Sequence, residues 1–453
     1  MKKKWMMNIM KEKQTNKNMM KENTIKGITP KKLNKIIGLS LVAAVMLSGC
    51  GSSDKDKEPQ NKVIKEYDVN AEISESFGED MNRFAFELYD EIAKEKGKQN
   101  LFFSPYSITC ALSMLDNAAE DTTKKELEEA LHISNDIEER NSDLKLFADS
   151  FTDEKAVMNT ANSTWISENL DLREDSQENF FDPVTFYYNA ESKKVNFGDD
   201  ETVEAINDWI SDKTEGMIQK MISKLDPDTD MCLINAVYFK GEWTTVFEES
   251  DTQERSFYGV KSEKTVDMMY QYGNKYKYVE TNGLKGIRLP YGENQIAMEV
   301  WIADDENSKN AVEVFGELST DEKLQLFDEL NSAQKVEINA LGLPRFEVET
   351  DTISIVDALK NMGIKEAFEE GYAKFGILND DLYVTDVLHK AKIKVDECGT
   401  EAAAATAVIM EKETAAEPIG EIYNFVADKP FVYAIRDVET GVILFLGTYI
   451  DAE

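Results

Sequence analysis

The sequence is poor in the side chains on which most enzymes depend. Its 453 residues include only 2 His and 4 Cys. Three of the cysteines, Cys110, Cys232 and Cys398, are widely separated and lack metal-site spacing, so free thiols are expected. The patterns GxSxG, HExxH, GxxxxGK[ST] and GxGxxG do not occur. A hydrolase would need a nucleophile and a base, and none is recognisable, so we expect a protein that is not an enzyme and has no cofactor or metal.

Positive charge is also scarce. The chain has 51 Lys and Arg against 87 Asp and Glu, a net charge of -36. Affinity for phosphate depends on clustered basic side chains, which argues against a nucleic-acid partner and against direct binding to anionic lipid. The 42% of hydrophobic residues is enough for a folded core.

The basic residues are concentrated at the N-terminus. Residues 1–49 have 11 Lys and 2 Glu (+9), which leaves 40 bases and 85 acids (-45) in residues 50–453. The apolar stretch 36–49 is shorter than the roughly 20 residues of a spanning helix, and lysines precede it, as in an export signal. It ends in Leu47-Ser48-Gly49-Cys50, which resembles the lipobox of bacterial lipoproteins. The resemblance implies lipidation of Cys50 and a place on the extracellular face of a bacterial cell, anchored or released.

The remainder divides into a tether and one domain. Residues 50–75 are predicted to form a flexible tether, because the run 51–62 after Cys50 is charged and lacks large apolar residues. Helical periodicity dominates the first half of residues 76–453, with helices predicted over 77–93 and, interrupted at Gly216, over 203–222. Short β-branched runs dominate the second half and end in a hairpin, 431–436 with 442–449. A single mixed α/β (α+β) domain is therefore predicted.

One segment follows no ordinary structural pattern. Residues 399–407 are mostly Ala and Thr, too small to anchor a core, yet predicted strands lie on both sides. About 30 residues separate Gly399 from the terminal strands, and loops of that length are usually functional or disordered.

This segment resembles the hinge of the inhibitory serpins, a family of protease inhibitors. Other serpin-like motifs follow in the expected order over residues 76–453. The hinge match comprises Glu397, Gly399, Thr400, Glu401, Ala402, Ala403, Ala404, Ala405 and Thr406, and the other motifs are residues 100–108, 235–243, 289–291, 343–346, 389–391 and 427–431.

The resemblance implies three β-sheets, eight or nine helices and an exposed reactive-centre loop at about 397–427. It also implies a suicide-substrate mechanism: a serine protease cleaves the loop and stays acylated while the loop enters the central sheet as a new strand. The alternative is a non-inhibitory serpin that acts as a surface binding protein.

The loop sequence is compatible with insertion. Side chains alternate between the two faces of a strand, so Thr400, Ala402, Ala404 and Thr406 share one face and Glu401 lies on the other. If the face of Thr400 is buried, no charge is buried with it.

Residues that would control sheet opening are also implied by the resemblance. Ser104, Ser107, Asn235 and His389 match a polar cluster beneath the sheet, and we expect His389 to be half-buried. Glu397 and Arg345 match an acidic and basic pair where insertion begins, with Trp243 beside it. Cys398 departs from the family's usual residue.

The spacing between hinge and scissile bond in inhibitory serpins implies a scissile bond at Glu413-Thr414, with Lys412 and Met410 as alternatives. These residues suit glutamyl-, trypsin-, elastase- or subtilisin-type serine proteases, with a cysteine protease as a further candidate partner. We expect the protein to be a monomer.

Overall fold

The computed structural model describes residues 71–134, 136–305, 307–400 and 423–452. The export segment, Cys50, most of the tether and the residues from Glu401 to 422, with every scissile-bond candidate, lie outside the described residues. The described ranges contain nine α-helices and eighteen strands. The predicted mixed α/β fold class is thereby confirmed.

The helices occupy mainly the first half of the chain and often begin at a side-chain cap. Asp136 accepts hydrogen bonds from two amides of the following turn, and Asn310 and Ser319 each form a capping box with the Glu three residues later. The helices are α1 (Phe77–Lys96), α2 (Pro105–Asp116), α3 (Asp121–Leu131), α4 (Ile137–Ser150), α5 (Asp182–Tyr188), α6 (Asp200–Lys213), α7 (Ala311–Glu317), α8 (Thr320–Ser332) and α9 (Val356–Asn361).

The larger sheet has ten strands in the order β1-β18-β17-β9-β8-β7-β10-β6-β5, with β16 paired to β10. The predicted terminal hairpin is β17 and β18, which pair antiparallel. The strands are β1 (Leu101–Phe103), β5 (Gln253–Tyr258), β6 (Glu263–Gln271), β7 (Asn274–Thr281), β8 (Leu284–Pro290), β9 (Ile296–Ala303), β10 (Lys335–Pro344), β16 (Tyr423–Val426), β17 (Phe431–Asp437) and β18 (Ile443–Tyr449).

The smaller sheet has eight strands and holds the candidate site. Its order is β11-β14-β15-β4-β13-β12, with β2 paired to β4 and β3 paired to β2. The strands are β2 (Ala156–Ser167), β3 (Glu191–Val195), β4 (Met231–Glu242), β11 (Phe346–Glu349), β12 (Ile353–Ser354), β13 (Asp386–Lys390), β14 (Lys392–Val395) and β15 (Gly399–Thr400). Every residue of α2 is buried.

The strands of the described residues form two hydrogen-bonded sheets, whereas the resemblance implies three. Strand β10 connects two groups of strands in the larger sheet, because its two halves have different neighbours. Residues 335–338 pair with β7 and residues 341–344 with β6, and the register along β16 shifts between Ile338 and Ala340.

The predicted helix over 203–222 is too long. Helix α6 ends at Lys213, and Gly216 adopts a positive φ of 83°. The chain then turns back, and Asn207 Oδ1 accepts hydrogen bonds from the amides of Met221 and Ile222. These side-chain bonds replace the helical ones. No helix among the described residues is long and apolar enough to cross a membrane.

Candidate functional site

The candidate site lies along the edge of β4 that faces β13, β14 and β15. At one end β4 pairs directly with β13, in parallel, from Cys232↔Asp386 to Ala236↔Lys390. At the other end β15 lies between β4 and β14: Gly399 and Thr400 pair with Glu242 and Gly241, and Thr400 also pairs with Val395. The β15 strand is antiparallel to both neighbours. Strands β4 and β14 are thus already separated by β15 at this end.

This arrangement corrects the expected bounds of the exposed loop. Glu397 is 4% exposed and Thr400 is 1% exposed, so the loop does not begin at Glu397. At its other end, residues 423–426 form β16, which pairs in parallel with β10. Strands of the two sheets, β15 and β16, therefore occupy residues near both ends of the segment expected to be exposed.

A tight turn directs the chain from β14 into β15. Asp396 Oδ1 accepts hydrogen bonds from the amides of Cys398 (2.9 Å) and Gly399 (3.3 Å). A Cβ atom on Gly399 would lie 1.9 Å from the carbonyl oxygen of Gly241. Only glycine fits between these backbones.

Thr400 enters a pocket of aromatic side chains. Its Oγ1 lies 2.6 Å from the hydroxyl of Tyr291, whose ring stacks on Trp243 with centroids 4.3 Å apart. Trp243 in turn donates from Nε1 to the carbonyl of Asp396 (2.9 Å) and from its amide to the carbonyl of Cys398 (2.9 Å). The aromatic pair thus contacts both the turn and the first inserted residue.

An ion pair closes the same end of the sheet. Arg345 Nε lies 2.7 Å from Oε2 of Glu397, Arg345 Nη2 lies 2.6 Å from Oε1, and Thr252 donates to Oε1 at 2.5 Å. Burial alone would raise the pKa of Glu397, but the hydrogen bonds from Arg345 and Thr252 lower it overall. Glu397 is therefore held ionised. We call Trp243, Thr252, Tyr291, Arg345, Glu397 and Thr400 the hinge cluster.

We call the edge of β4 that faces β13, β14 and β15 the β4 seam. The other end of this seam has a neutral polar cluster beneath it. Asn235 accepts from Ser107 Oγ (2.5 Å), and its amide group donates to the carbonyl of Ser107 (3.0 Å) and to Asn162 Oδ1 (2.8 Å). Ser104 Oγ accepts from the Ser107 amide and donates to the carbonyl of Leu444. We call Ser104, Ser107, Asn162, Asn235 and His389 the switch cluster, and all five are buried.

His389 is fully buried, at 1% exposed, so the expectation of half-burial was wrong. It is opposite Asn235 in the β4–β13 pairing, between the sheet and α2. The Ser104 amide donates to Nε2 (3.1 Å), so Nδ1 carries the proton and donates to Asn235 Oδ1 (3.2 Å). Burial lowers the pKa of His389 to about 3, and the ring is neutral.

The structure thus brings the residues expected to control sheet opening together in two groups, and their roles stay predictions. Cys398 lies in the turn at the hinge cluster, and Cys110, Cys232 and Cys398 are free thiols. Hinge residues Glu401 to Thr406 and the candidates Met410, Lys412, Glu413 and Thr414 lie outside the described residues.

Sequence reasoning missed four contributors: Asn162, Thr252, Tyr291 and Asp396. Asn162 is on β2, a strand that was not predicted, and Tyr291 was noted only as part of a motif. Asp396 offered the clearest local signal, because Asp two or three residues before Gly commonly accepts backbone amides in a turn.

Comparisons with known proteins identify the family of this chain. The family model "Serpin (serine protease inhibitor)" matches residues 79–452. An uncharacterized serpin-like protein of Methanosarcina mazei is 32% identical over 425 residues, which cover 91% of this chain and 96% of the relative. Human Serpin B8 is 31% identical over 375 residues, with 81% and 96% covered.

Solved structures are similar over the same region. The thermophilic serpin tengpin in its native state gives a TM-score of 0.74 at 32% identity, covering 84% of this chain and 95% of that one. Tengpin in its latent state gives 0.70 at 30% identity, covering 84% and 100%.

Proposed function

This chain belongs to the serpin family, whose members are mostly protease inhibitors, and we propose that it is an inhibitory member that traps a serine protease by loop insertion. A protease would cleave the loop beyond Thr406 and remain acylated on it. The freed loop would then enter the smaller sheet between β4 and β13–β14.

The observation that carries this proposal is the place of β15. Thr400 already lies between β4 and β14 at one end of the seam. Residues 237–240 of β4 pair with β2 on their other edge, and towards β13 the pairing of the described residues includes no partner for them. The next residues of the loop would extend β15 along this edge.

Extending the β15 register shows where the loop would go. In an antiparallel pair, each step along β15 moves one residue back along β4. From Thr400↔Gly241, Ala402 would meet Phe239, Ala404 would meet Val237 and Thr406 would meet Asn235. The small side chains of Ala402 and Ala404 would therefore lie beside the buried residues Phe239 and Val237 of β4.

The same register brings Thr406 to the switch cluster. Residues directly opposite in a sheet point to the same face, so Thr406 would face the core as Asn235 does. Insertion this far would separate Asn235 from His389, which now lies opposite it. The Thr406 hydroxyl is then available to replace a hydrogen bond that Asn235 loses.

The test is a panel of trypsin, subtilisin, an elastase and a glutamyl endopeptidase, with electrophoresis in SDS. We expect a covalent complex with at least one protease and release of a C-terminal peptide that begins within residues 408–416, with Thr414 expected. Thr400→Arg should convert the inhibitor into a substrate, because a charge would be buried without a partner. Glu401→Arg, on the opposite face, is the matched variant and should still inhibit.

A complex that survives Thr400→Arg would contradict insertion. Cleavage of the wild type by every protease without a complex would favour the alternative, a non-inhibitory surface binding protein.

The proposed location is the outer face of a bacterial cell, with a lipid on Cys50 and residues 50–75 as the tether. The support for this location is the lipobox-like sequence. The acidic charge of -45 over residues 50–453 would separately favour basic proteases by long-range attraction. Mass spectrometry of the exported protein tests the anchor: the wild type should carry an acyl mass that Cys50→Ala lacks.

A further inference from the structure

The hydroxyl of Tyr291 has one hydrogen-bond partner in the part of the chain that the structure describes. That partner is Thr400 Oγ1, at 2.6 Å. Tyr291 is 0% exposed and Thr400 is 1% exposed, so neither hydroxyl can bond to bulk water in this conformation. Each therefore depends on the other.

The Tyr291 ring has little freedom to move. It stacks on Trp243 with an interplanar angle of 11° and packs edge-on against Phe239 at 5.1 Å. A Cβ atom at Gly241 would lie 2.8 Å from the Tyr291 ring, so the missing side chain of Gly241 leaves the space that the ring fills. The hydroxyl is consequently fixed at the point where β15 enters the sheet.

We propose that Tyr291 is a positioning residue for loop insertion, whose hydroxyl holds Thr400 in the sheet before the loop is cleaved. This inference rests on the proposed inhibitory function. If Thr400 left the sheet, the Tyr291 hydroxyl would be buried without a partner, which is unfavourable. The hydrogen bond thus favours the conformation in which the first residues of the new strand are already paired.

The bond is compatible with both states of the loop. Thr400 faces Gly241 now, and the extended register leaves it there when the following residues insert. Insertion would therefore lengthen an existing strand and would not need to capture a free segment of the loop. Nucleating a new strand would be slower than extending one that is already paired. Without the bond, more acyl-enzyme would hydrolyse before the loop is inserted.

Hydrogen exchange measures the bond without any protease. In Tyr291→Phe we expect amides of residues 398–400 to exchange on the order of 10-fold faster, since the loss of one buried hydrogen-bond partner has this magnitude. Tyr433→Phe is the matched control: Tyr433 is equally buried, and its hydroxyl has no partner among the described residues. It should leave the exchange at 398–400 unchanged.

A double variant separates the hydrogen bond from general damage to the core. Tyr291→Phe with Thr400→Val replaces both hydroxyls by apolar groups of similar shape, which removes the unpaired polar atom. We expect the exchange at 398–400 to return towards the wild-type rate. With a protease that the wild type traps, the ratio of inhibitor consumed to protease trapped should rise several-fold in Tyr291→Phe and fall again in the double variant.

Unchanged exchange at 398–400 in Tyr291→Phe, or no recovery in the double variant, would overturn the assignment. If the wild type traps no protease, the proposed function fails by itself, whereas the exchange rates still decide whether Tyr291 holds Thr400.

Discussion

The two ends of the β4 seam use opposite chemistry. At the hinge cluster a charged pair lies near solvent: the Arg345 side chain is 41% exposed and that of Glu397 is 6% exposed. At the switch cluster every group is neutral and buried, and each hydrogen bond runs to another protein atom. Water can solvate Arg345 if the ion pair breaks, whereas no buried group of the switch cluster can exchange its partner for bulk water. The ion pair is thus held less strongly than the switch cluster.

The largest effect is expected from breaking the switch cluster. Asn235→Leu removes four hydrogen bonds, two to Ser107 and one each to Asn162 and His389, so that Asn162 Oδ1 and His389 Nδ1 lose these partners. Urea unfolding should show a loss of about 3–5 kcal/mol. Asn339→Leu is the matched change at an exposed Asn and should cost less than about 0.5 kcal/mol. Equal losses in the two variants would contradict the contrast between the ends.

The pH dependence of stability should distinguish the two ends. The pKa of His389 is about 3 in the native protein against 6.5 unfolded. The unfolded chain therefore binds a proton that the native state does not, and stability falls as pH drops from 6.5 towards 3. By pH 4.5 the loss should reach about 2–3 kcal/mol.

This contribution is measured as a difference between variants, because carboxyls with raised pKa such as Asp90 and Asp437 act in the opposite direction. His389→Gln should remove the slope between pH 6.5 and 4.5. His132→Gln, which changes the other histidine of the chain, should retain it. A slope that is unchanged in His389→Gln would show that His389 is not its source.

Substitutions in the hinge cluster should lower the free energy of unfolding less than substitutions in the switch cluster do. Arg345→Met leaves the buried Glu397 with Thr252 as its remaining side-chain donor, and the expected loss is about 1–2 kcal/mol, reduced because Arg345 is partly in water. Arg345→Lys keeps the charge and should lose less. The difference should appear above pH 4.5 and disappear as acid protonates Glu397, whose pKa is lowered in the native state.

The smallest effect on stability is expected from Thr406, which the proposed insertion would bring to the switch cluster. Thr406→Val should leave the uncleaved protein unchanged but should destabilise the loop-cleaved form by about 1 kcal/mol, through the lost hydroxyl at Asn235. Thr406→Ser should not. Ala405→Ser, on the opposite face, is the control. An effect of Thr406→Val on the uncleaved protein alone would contradict the register.

Sequence reasoning predicted the mixed fold and the grouping of Ser104, Ser107, Asn235 and His389, because motifs with distinctive residues carry them. It could not find Asn162, which reaches Asn235 only through the long β2–β4 pairing, 73 residues away in the chain. Nor could it find the Tyr291–Thr400 contact, which joins residues 109 apart. The capping boxes at Asn310 and Ser319, by contrast, depend only on residues three apart in the sequence.

The half-burial expected for His389 failed for a related reason. Alternation along one strand assigns a face, but it does not reveal that the His389 ring is buried between the Ser104 amide and Asn235. The predicted bounds of the loop were wrong because Glu397 and Thr400 are small or polar residues that are held by partners distant in the chain. Pattern alone cannot show such partners.

Insertion between β4 and β13–β14 is tested most directly by thermal unfolding before and after the loop is cleaved within residues 408–416. The wild type should unfold at a higher temperature after cleavage, because the loop gains the backbone hydrogen bonds of a central strand. Cleaved Thr400→Arg should show no such gain. A cleaved wild type that unfolds no higher than the intact protein would contradict the account.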